Sequence, residues 1–251
     1  MLIVTDLDGT LLRTDRTISE YTKAILTRCR EAGIKVAFAT GRSSGDSDTM
    51  LSSVSFDARI NMNGAIAKAG ETLIYSRLIS HETACNFLVS CDKAGIKVVS
   101  QTENMHYSNF AVSDLWHWIK NFEIVDFREH KIDAQKIYLS NLTSQELAYI
   151  KSILPDELYM VMANDNLLMI MHKEATKAKA VAALADFWGI ERSEIITFGD
   201  DLNDIDMLSF AGTSVAMGNA LGKVKSAASQ ICDTNDNDGV AKWIEQNSLG
   251  A

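Results

Sequence analysis

The sequence is poor in the residues and runs that mark several classes of protein. It contains one proline, Pro155, and shows no proline-rich linker, internal repeat or low-complexity tract. No apolar run approaches the ~20 residues that a membrane-spanning helix needs. Residues 1–6 lack the charged region and long apolar stretch of a signal peptide. We therefore expect a soluble protein.

Cysteine is scarce as well, and its placement is uninformative for metal or disulfide chemistry. The four cysteines, Cys29, Cys85, Cys91 and Cys232, form no CxxC pair. We interpret them as buried, reduced thiols of a cytoplasmic protein. The five histidines show no metal-ligand spacing either.

Positive charge is in deficit, with 24 Lys and Arg against 33 Asp and Glu, a net charge of −9 and a pI near 5.0. Such a surface repels nucleic acid and anionic membranes, so we expect neither as a partner. An anionic substrate must be held by local cations and backbone N–H groups.

Hydrophobic residues make up 47% of the 251 positions, and this length is enough for one large domain or two smaller ones.

Apolar runs alternate with helical patterns at both ends of the chain, which predicts an α/β fold with a Rossmann-like parallel sheet. The predicted elements are a strand over 2–4, a helix over 19–32, a strand over 34–39, a helix over 178–188, strands over 195–198 and 214–217, and a helix from about 239 to 246. Ligands bind at the carboxyl edge of such sheets.

The middle of the chain has a different pattern, which predicts a smaller α/β domain inserted into the first. Its predicted elements are a helix over 81–94, strands over 96–100 and 136–140, a helix over 144–154, and strands over 159–163 and 167–171 joined by the hairpin turn Asn164-Asp165-Asn166. Trp116 and Trp118 are predicted to pack here. The predicted domains are thus 1–78 with 172–251, and 79–171.

Asp6-Leu7-Asp8-Gly9-Thr10 is the most informative segment. Two carboxylates two residues apart follow an apolar strand, so both can face one site. One can attack phosphorus while the other transfers protons. Gly9 permits a sharp turn that brings backbone N–H groups near a phosphate.

A second acidic cluster, Gly199-Asp200-Asp201-Leu202-Asn203-Asp204, also follows a predicted strand. Hard oxygen ligands of this kind suit Mg²⁺. An acidic helix N-cap is the simpler explanation. However, gathering five aspartates at one sheet edge is repulsive without a cation, which favours a metal site. The aspartates are Asp6, Asp8, Asp200, Asp201 and Asp204.

Two further elements complete a predicted phosphoryl-transfer site. Thr40 can donate a hydrogen bond to a phosphoryl oxygen, and Gly41 can donate its N–H. A lysine at the start of the late helix can neutralise charge on nucleophile and phosphate, and Lys177 and Lys179 both qualify.

With these motifs the sequence resembles the haloacid dehalogenase superfamily, and more specifically the Cof-like phosphatases, over nearly the whole chain. The matching segments are DLDGTLL from Asp6, ATGR from Ala39, Lys177 in EATKAKAV, GDDLNDIDML from Gly199, Asn63-Gly64-Ala65, Ala216-Met217-Gly218-Asn219-Ala220 and Asp238-Gly239-Val240-Ala241. The third motif departs from the family's usual Ser-Lys-Gly, because this chain has Thr176-Lys177-Ala178.

The resemblance implies a role for each matched residue. Asp6 would be the nucleophile and a metal ligand, and Asp8 the general acid and base, binding metal through its backbone carbonyl. Thr40 and Lys177 would hold the phosphoryl group. The remaining implied roles are metal binding by Asp200, metal binding through water or orientation of neighbours by Asp201 and Asp204, and substrate binding by Gly41, Arg42 and Asn203.

The predicted function is a Mg²⁺-dependent phosphatase of small phosphorylated metabolites, with 79–171 acting as a cap that selects the substrate. A sugar phosphomutase and a catalytically silent phosphometabolite sensor are alternatives. A transport-ATPase domain is disfavoured because those resemble DKTGT, and a receiver domain would not need the inserted domain. The oligomeric state is left open.

Overall fold

The computed structural model describes residues 1–103, 105–117, 119–162 and 166–249, which form fourteen β-strands and eight α-helices numbered in chain order. The strands are β1 Leu2–Thr5, β2 Lys35–Ala39, β3 Ala58–Asn61, β4 Ile66–Ala69, β5 Thr72–Ser76, β6 Val99–Gln101, β7 His106–Ser108, β8 Phe122–Ile124, β9 Lys136–Ser140, β10 Leu158–Met162, β11 Leu167–His172, β12 Ile195–Gly199, β13 Thr213–Ala216 and β14 Gln230–Ile231. The helices are α1 Glu20–Glu31, α2 Ser44–Met50, α3 His81–Lys93, α4 Ser144–Ile153, α5 Lys177–Trp188, α6 Ile205–Phe210, α7 Gly222–Ala227 and α8 Gly239–Asn247. None of the helices in the described part of the chain has the length and apolar character to cross a membrane.

The chain divides into two compact units. The first contains residues 1–42, 46–76 and those from 176 onward, and the second contains residues 43–45 and 77–175. The α/β fold class expected from the alternating pattern is confirmed. The functional assignment of 79–171 as a cap stays a prediction.

The first unit is built on an eight-stranded sheet in the order β14-β13-β12-β1-β2-β3-β4-β5. The strands from β14 to β3 are parallel, whereas β4 and β5 run antiparallel to their neighbours. β1 lies at the centre, pairing Leu2–Thr5 with β2 on one side and β12 on the other. The loops that follow β1, β2 and β12 therefore leave the sheet at the same edge.

Two helices of this unit show how local sequence sets their limits. The Ser19 hydroxyl accepts the Thr22 N–H and so caps the start of α1. Thr176 caps α5 by accepting the Lys179 N–H. α5 ends where Gly189 adopts a left-handed conformation with φ 64°, which glycine adopts without strain. The predicted helices over 19–32 and 178–188 match these elements within one residue.

The core of the first unit occupies both faces of the sheet. Along β1, Leu2 and Val4 pack in the cluster that includes Leu184 of α5, whereas Ile3 packs on the opposite face in the cluster with Ile25 of α1 and Ile244 of α8. Successive side chains of a strand point to opposite faces, so a central strand covered by helices on both sides must be apolar throughout. That requirement explains the uninterrupted apolar run at the N-terminus.

The second unit contains a six-stranded sheet in the order β10-β11-β9-β6-β7-β8, in which only the β7–β8 pair is parallel. One apolar cluster joins α3 and α4 to this sheet, and a smaller one contains Val99 and Tyr138. Trp116 packs edge-on against Tyr138 with ring centroids 5.2 Å apart, as predicted. Trp118, Ala163 at the end of a predicted strand, and Asn164 and Asp165 of the predicted hairpin turn lie outside the described residues.

Candidate active site

Asp6 is the first residue beyond β1 and is held at the edge of the sheet. Its backbone N–H donates to the carbonyl of Phe198 in β12, at 3.0 Å. Its side chain is almost fully buried, with 6% of the residue exposed. The nucleophile predicted from the sequence is therefore a carboxylate fixed at the end of the central strand.

Lys177, the first residue of α5, is the lysine that reaches this carboxylate. Its Nζ lies 2.5 Å from Oδ1 of Asp6 and 2.6 Å from Oδ1 of Asp204, and its side chain is fully buried. Lys179, the alternative in the sequence, is exposed. Burial alone lowers the pKa of Lys177, but Asp204 and Asp6 outweigh it and raise that pKa, so the lysine is a permanent cation.

For Asp6, in contrast to Lys177, the effect of burial on the pKa prevails over the effect of the neighbouring opposite charge. Burial raises its pKa, Lys177 lowers it, and the nearby carboxylates of Asp204 and Asp200 raise it further, for a net rise well above the usual value. Burial also raises the pKa of Asp200 to about 6, against the lowering effect of the Thr10 hydrogen bond. The site thus concentrates more negative charge than one lysine balances, and it favours a cation.

The donor set fits a divalent metal ion. Carboxylate oxygens of Asp6, Asp200 and Asp204 lie within 4.8 Å of one another. Such hard oxygen donors suit Mg²⁺ and related ions. Within the described residues, the carboxylates of Asp8 and Asp201 are not part of this group. Metal binding by each of the five aspartates stays a prediction.

Asp204 is held by hydrogen bonds that fix its orientation. Oδ1 accepts from Lys177, and Oδ2 accepts from the backbone N–H groups of Asp200 at 2.9 Å and Asp201 at 3.0 Å. A side chain at Gly199 would collide with Asp204, so the tight turn after β12 requires glycine there. Asp201 itself accepts the Leu202 N–H at 2.7 Å. Asp204 thus holds both the Lys177 side chain and the backbone that carries Asp200.

Asp8 points to a different partner. Its two carboxylate oxygens accept from Nε and Nη2 of Arg42 at 2.7 and 2.6 Å, a bidentate pair. Its side chain is 49% exposed, against 26% for Arg42. Arg42 was predicted to bind substrate, and the structure places its guanidinium on Asp8. The next residue, Gly9, has φ 79° and leaves no room for a Cβ beside Asp200, whose Oδ1 accepts the Thr10 hydroxyl at 2.6 Å.

Thr40 and Asn203 come from loops that the structure brings together. Thr40 is buried at the end of β2, and its hydroxyl oxygen accepts the Arg42 N–H at 3.2 Å. Asn203 donates from Nδ2 to Oδ1 of Asn63 at 3.0 Å. The sequence indicates Asn63 only as part of a segment that matches the haloacid dehalogenase superfamily. An Asn-Gly pair signals a turn, and nothing in that signal indicates the distant partner.

Residues near the C-terminus hold the loop between β1 and α1, a role that the sequence did not reveal. Asn219 donates from Nδ2 to the Gly9 carbonyl at 2.7 Å and accepts the Asn235 N–H at 3.0 Å. Asn235 in turn donates to the Leu12 carbonyl at 3.0 Å. Asp238 binds Arg13 with a shortest distance of 2.7 Å. The loop carrying Asp8 is thus anchored along its length.

Replacing Asp238 by alanine is expected to lower the free energy of unfolding at pH 7 by about 1.5 to 3 kcal/mol, the range for hydrogen bonds to a charged group. Burial would raise the pKa of Asp238, but hydrogen bonds from Arg13, Ser19 and Thr22 outweigh it and lower the pKa. The carboxylate therefore stabilises the fold above its unfolded-state pKa of about 3.9, and this contribution disappears as the pH falls through the folded-state pKa. Urea unfolding at pH 7 and in a series below pH 4 measures the effect.

Asp236→Ala provides the control for this prediction, because Asp236 is exposed and binds only Thr14 among the hydrogen bonds described for it. Its effect should be smaller at pH 7. A loss for Asp238→Ala that stays constant down to the lowest pH would contradict the explanation.

A family model described as haloacid dehalogenase-like hydrolase matches residues 3–244. The chain belongs to this family. The haloacid dehalogenase-like hydrolases similar to it include 5-amino-6-(5-phospho-D-ribitylamino)uracil phosphatase YitU of Bacillus subtilis, which is 30% identical with 98% of this chain and 96% of the relative covered. Phosphatase YwpJ of the same organism is 27% identical, with 97% and 98% covered.

The chain is also similar to solved structures. A sugar phosphatase of subclass IIB superposes with a TM-score of 0.82 at 26% identity, covering 99% of both chains. A Thermotoga maritima protein superposes with a TM-score of 0.87 at 27% identity, covering 98% and 97%. The resemblance inferred from the motifs is confirmed, and the chain is an enzyme of the phosphatase class.

Proposed function

We infer that this haloacid dehalogenase-like phosphatase hydrolyses small phosphorylated metabolites with Mg²⁺ and forms an aspartyl-phosphate on Asp6. The observation that carries this proposal is the buried Asp6 carboxylate, bound by Lys177 and adjacent to Asp200 and Asp204. A carboxylate between a fixed cation and a metal-binding group of oxygens is suited to attack a phosphate dianion. The cations offset the repulsion between two anions, which is the main electrostatic barrier.

The first step forms a bond between a carboxylate oxygen of Asp6 and phosphorus while the phosphorus–oxygen bond to the leaving group breaks. Asp8 donates its proton to the departing alkoxide. Thr40 and Lys177 hold the phosphoryl oxygens, with Gly41 and Asn203 adding donors. When bound, Mg²⁺ would neutralise charge on the nucleophile and the phosphoryl group through Asp6 and Asp200.

In the second step Asp8 takes a proton from water, the water oxygen attacks phosphorus, and the bond to Asp6 breaks to release orthophosphate. In its pair with Arg42, Asp8 accepts hydrogen bonds with both oxygens, as an ionised carboxylate does. To act as the acid in the first step, Asp8 must give up at least one of these hydrogen bonds. In the proposed mechanism Arg42 is therefore a hydrogen-bond partner of Asp8.

The substrate class is proposed from the relatives together with the site. One relative is named for a phosphorylated ribitylaminouracil and one structural neighbour for sugar phosphates. Both are phosphomonoesters of a polyhydroxylated carbon chain, so we propose phosphomonoesters of this kind. The net charge of −9 supports small anions held in a local cationic site, with neither nucleic acid nor membrane as a partner. The four free cysteines support a cytoplasmic location.

Hydrolysis of an aryl phosphate by the purified protein should require Mg²⁺ and stop on chelation with EDTA, returning when Mg²⁺ is restored in excess. Release of orthophosphate, measured separately from the phenol, distinguishes a phosphatase from a phosphomutase.

Mg²⁺ should also raise the thermal unfolding midpoint, because it offsets the clustered charge of Asp6, Asp200 and Asp204. A panel of sugar and polyol phosphates then ranks substrates.

The matched variant for the metal measurement is Asp200→Asn, which keeps the shape of the side chain and removes one metal-binding oxygen. It should reduce both the Mg²⁺-dependent rise in unfolding midpoint and the activity. Hydrolysis unaffected by EDTA would exclude the proposed metal dependence. Binding of phosphate esters without release of orthophosphate would instead indicate a sensor.

A further inference from the structure

The segment 60–64, at and beyond the end of β3, supports the turn that carries Thr40. The Thr40 N–H donates to the carbonyl of Ile60 at 2.8 Å, and the Thr40 carbonyl accepts the Asn63 N–H at 2.9 Å. The carbonyl of Arg42 accepts the Met62 N–H at 3.1 Å. The backbone on both sides of Gly41 is therefore fixed by this segment.

The side chain of Asn63 extends the same support to a second loop. Its Oδ1 accepts from Nδ2 of Asn203 at 3.0 Å, and only 6% of Asn63 is exposed. A Cβ added at Gly41 would lie 3.1 Å from that Oδ1, which shows how closely the carboxamide packs on the turn after β2. Asn63 thus links the loop after β2 to the loop after β12.

The backbone of the segment adopts a conformation that is uncommon for side-chain-bearing residues. The φ angles of Met62, Asn63 and Gly64 are 51°, 52° and 97°. Left-handed residues other than glycine are costly, asparagine less than most, and they persist where the surroundings hold them in place. Gly64 packs against the backbone of Thr176, the residue before Lys177, with no space for a Cβ. The segment therefore touches three of the loops that form the candidate site.

We propose that Asn63 is a positioning residue for phosphate binding. Its carboxamide fixes the amide plane of Asn203, and its backbone N–H fixes the carbonyl of Thr40. One N–H of the Asn203 amide is committed to Asn63, so the direction of its remaining donor and acceptor is set before substrate arrives. Groups held in the binding geometry lose less conformational freedom on binding. This inference rests on the proposed function, in which Asn203 and Thr40 hold the phosphoryl group.

Asn63→Gly isolates the carboxamide. Glycine adopts a φ of 52° without strain and keeps the N–H that donates to Thr40, so the variant should fold with an unfolding midpoint close to that of the parent. We expect kcat/KM for an aryl phosphate to fall roughly 10-fold. The loss should appear chiefly as a higher KM, and the inhibition constant of orthophosphate should rise by a similar factor. A purely structural residue would change the unfolding midpoint instead.

A double-mutant cycle decides whether Asn63 acts through Asn203. Asn203→Ala should lower kcat/KM at least as much as Asn63→Gly, and adding Asn63→Gly to it should cost less than about 2-fold more. Asn141→Gly is the matched control, since Asn141 also has a left-handed φ, 55°, and is exposed in the second unit. Its kcat/KM should equal that of the parent.

Fully additive losses in the cycle would overturn the inference, as would an unchanged orthophosphate inhibition constant in Asn63→Gly. The parent protein tests the proposed function separately, through its own release of orthophosphate. If the parent releases none, calorimetric titration with orthophosphate and Mg²⁺ still compares the parent with Asn63→Gly. Equal affinities there would overturn the role of Asn63 on their own.

Discussion

Asp6→Asn is expected to reduce phosphatase turnover by a factor on the order of 10⁴ or more, because the amide cannot replace the carboxylate as a nucleophile. The side chain keeps its shape and its place beyond β1, so the fold is retained. Turnover is measured as release of orthophosphate, and the covalent intermediate by acid-quench trapping of labelled phosphate on the protein. The parent should trap label and the variant should not.

The same substitution should make the metal-free protein more stable. Burial raises the pKa of Asp6, so the folded state favours the neutral carboxyl. Ionising this group above its unfolded-state pKa of about 3.9 therefore costs stability, and the cost grows as the pH rises toward the folded-state pKa. Asparagine carries no charge and avoids this cost, so at pH 7 the unfolding midpoint should rise while the stabilisation by Mg²⁺ is lost.

Asp186→Asn is the control for this prediction, because it makes the same chemical change at an exposed position of α5. Both its turnover and its unfolding midpoint should match those of the parent. Substantial turnover in Asp6→Asn would sink the aspartyl-phosphate mechanism, and an unchanged midpoint would contradict the electrostatic explanation of the site.

Lys177→Met is expected to damage both activity and stability. Methionine fills a similar volume and removes the only cation that is in contact with Asp6 among the ion pairs described. Breaking a buried ion pair by removing one partner leaves uncompensated charge, which costs about 3 to 5 kcal/mol of unfolding free energy. Loss of the cation that offsets nucleophile and phosphate charge should lower kcat roughly 10³-fold. Urea unfolding and steady-state kinetics measure the two effects.

Two conditions separate this electrostatic effect from simple misfolding. Lowering the pH protonates Asp6, whose pKa burial raises, so the stability gap between Lys177→Met and the parent should narrow. Mg²⁺ should also restore part of the stability, because it supplies positive charge to the same carboxylates. Lys179→Met, two residues along the same helix and exposed, should behave as the parent. Equal damage from both lysine variants would contradict the assignment of Lys177.

The helices and strands with strong local signals could be predicted closely. α1 and α5 have side-chain caps and apolar faces, and β2, β9 and β12 are each built on a short, mostly apolar run, so their limits follow from residues near in sequence. Several short elements were not predicted. β4 and β5 form an antiparallel pair with few buried residues, and α2 has a single buried residue, so neither presents a clear apolar period.

The candidate site likewise contains residues whose positions the sequence predicts and contacts that it does not predict. Asp6, Thr40 and Asp200 each follow an apolar run that the sequence shows, and parallel strands bring such positions to one edge of the sheet. The resemblance favours Lys177 over Lys179, but only the direction of each side chain on α5 shows that Lys177 is the one that reaches Asp6. The pairing of Arg42 with Asp8 was also missed, because Arg42 follows a turn that was predicted to bind phosphate, and nothing in the sequence indicates that it binds a carboxylate.

The sequence by itself determined the fold class and the family and predicted Asp6 as the nucleophile, since these inferences depend on short motifs and on the period of apolar residues. Only the tertiary structure decided which aspartates lie close enough to share one metal ion, where the guanidinium of Arg42 lies, and that Asn63 and Asn219 hold loops distant in the chain. The physical reason is the separation along the chain of the residues that interact. Strand and helix formation follow from neighbours in sequence, whereas a hydrogen bond between residues 63 and 203 exists only after the sheet has brought them together.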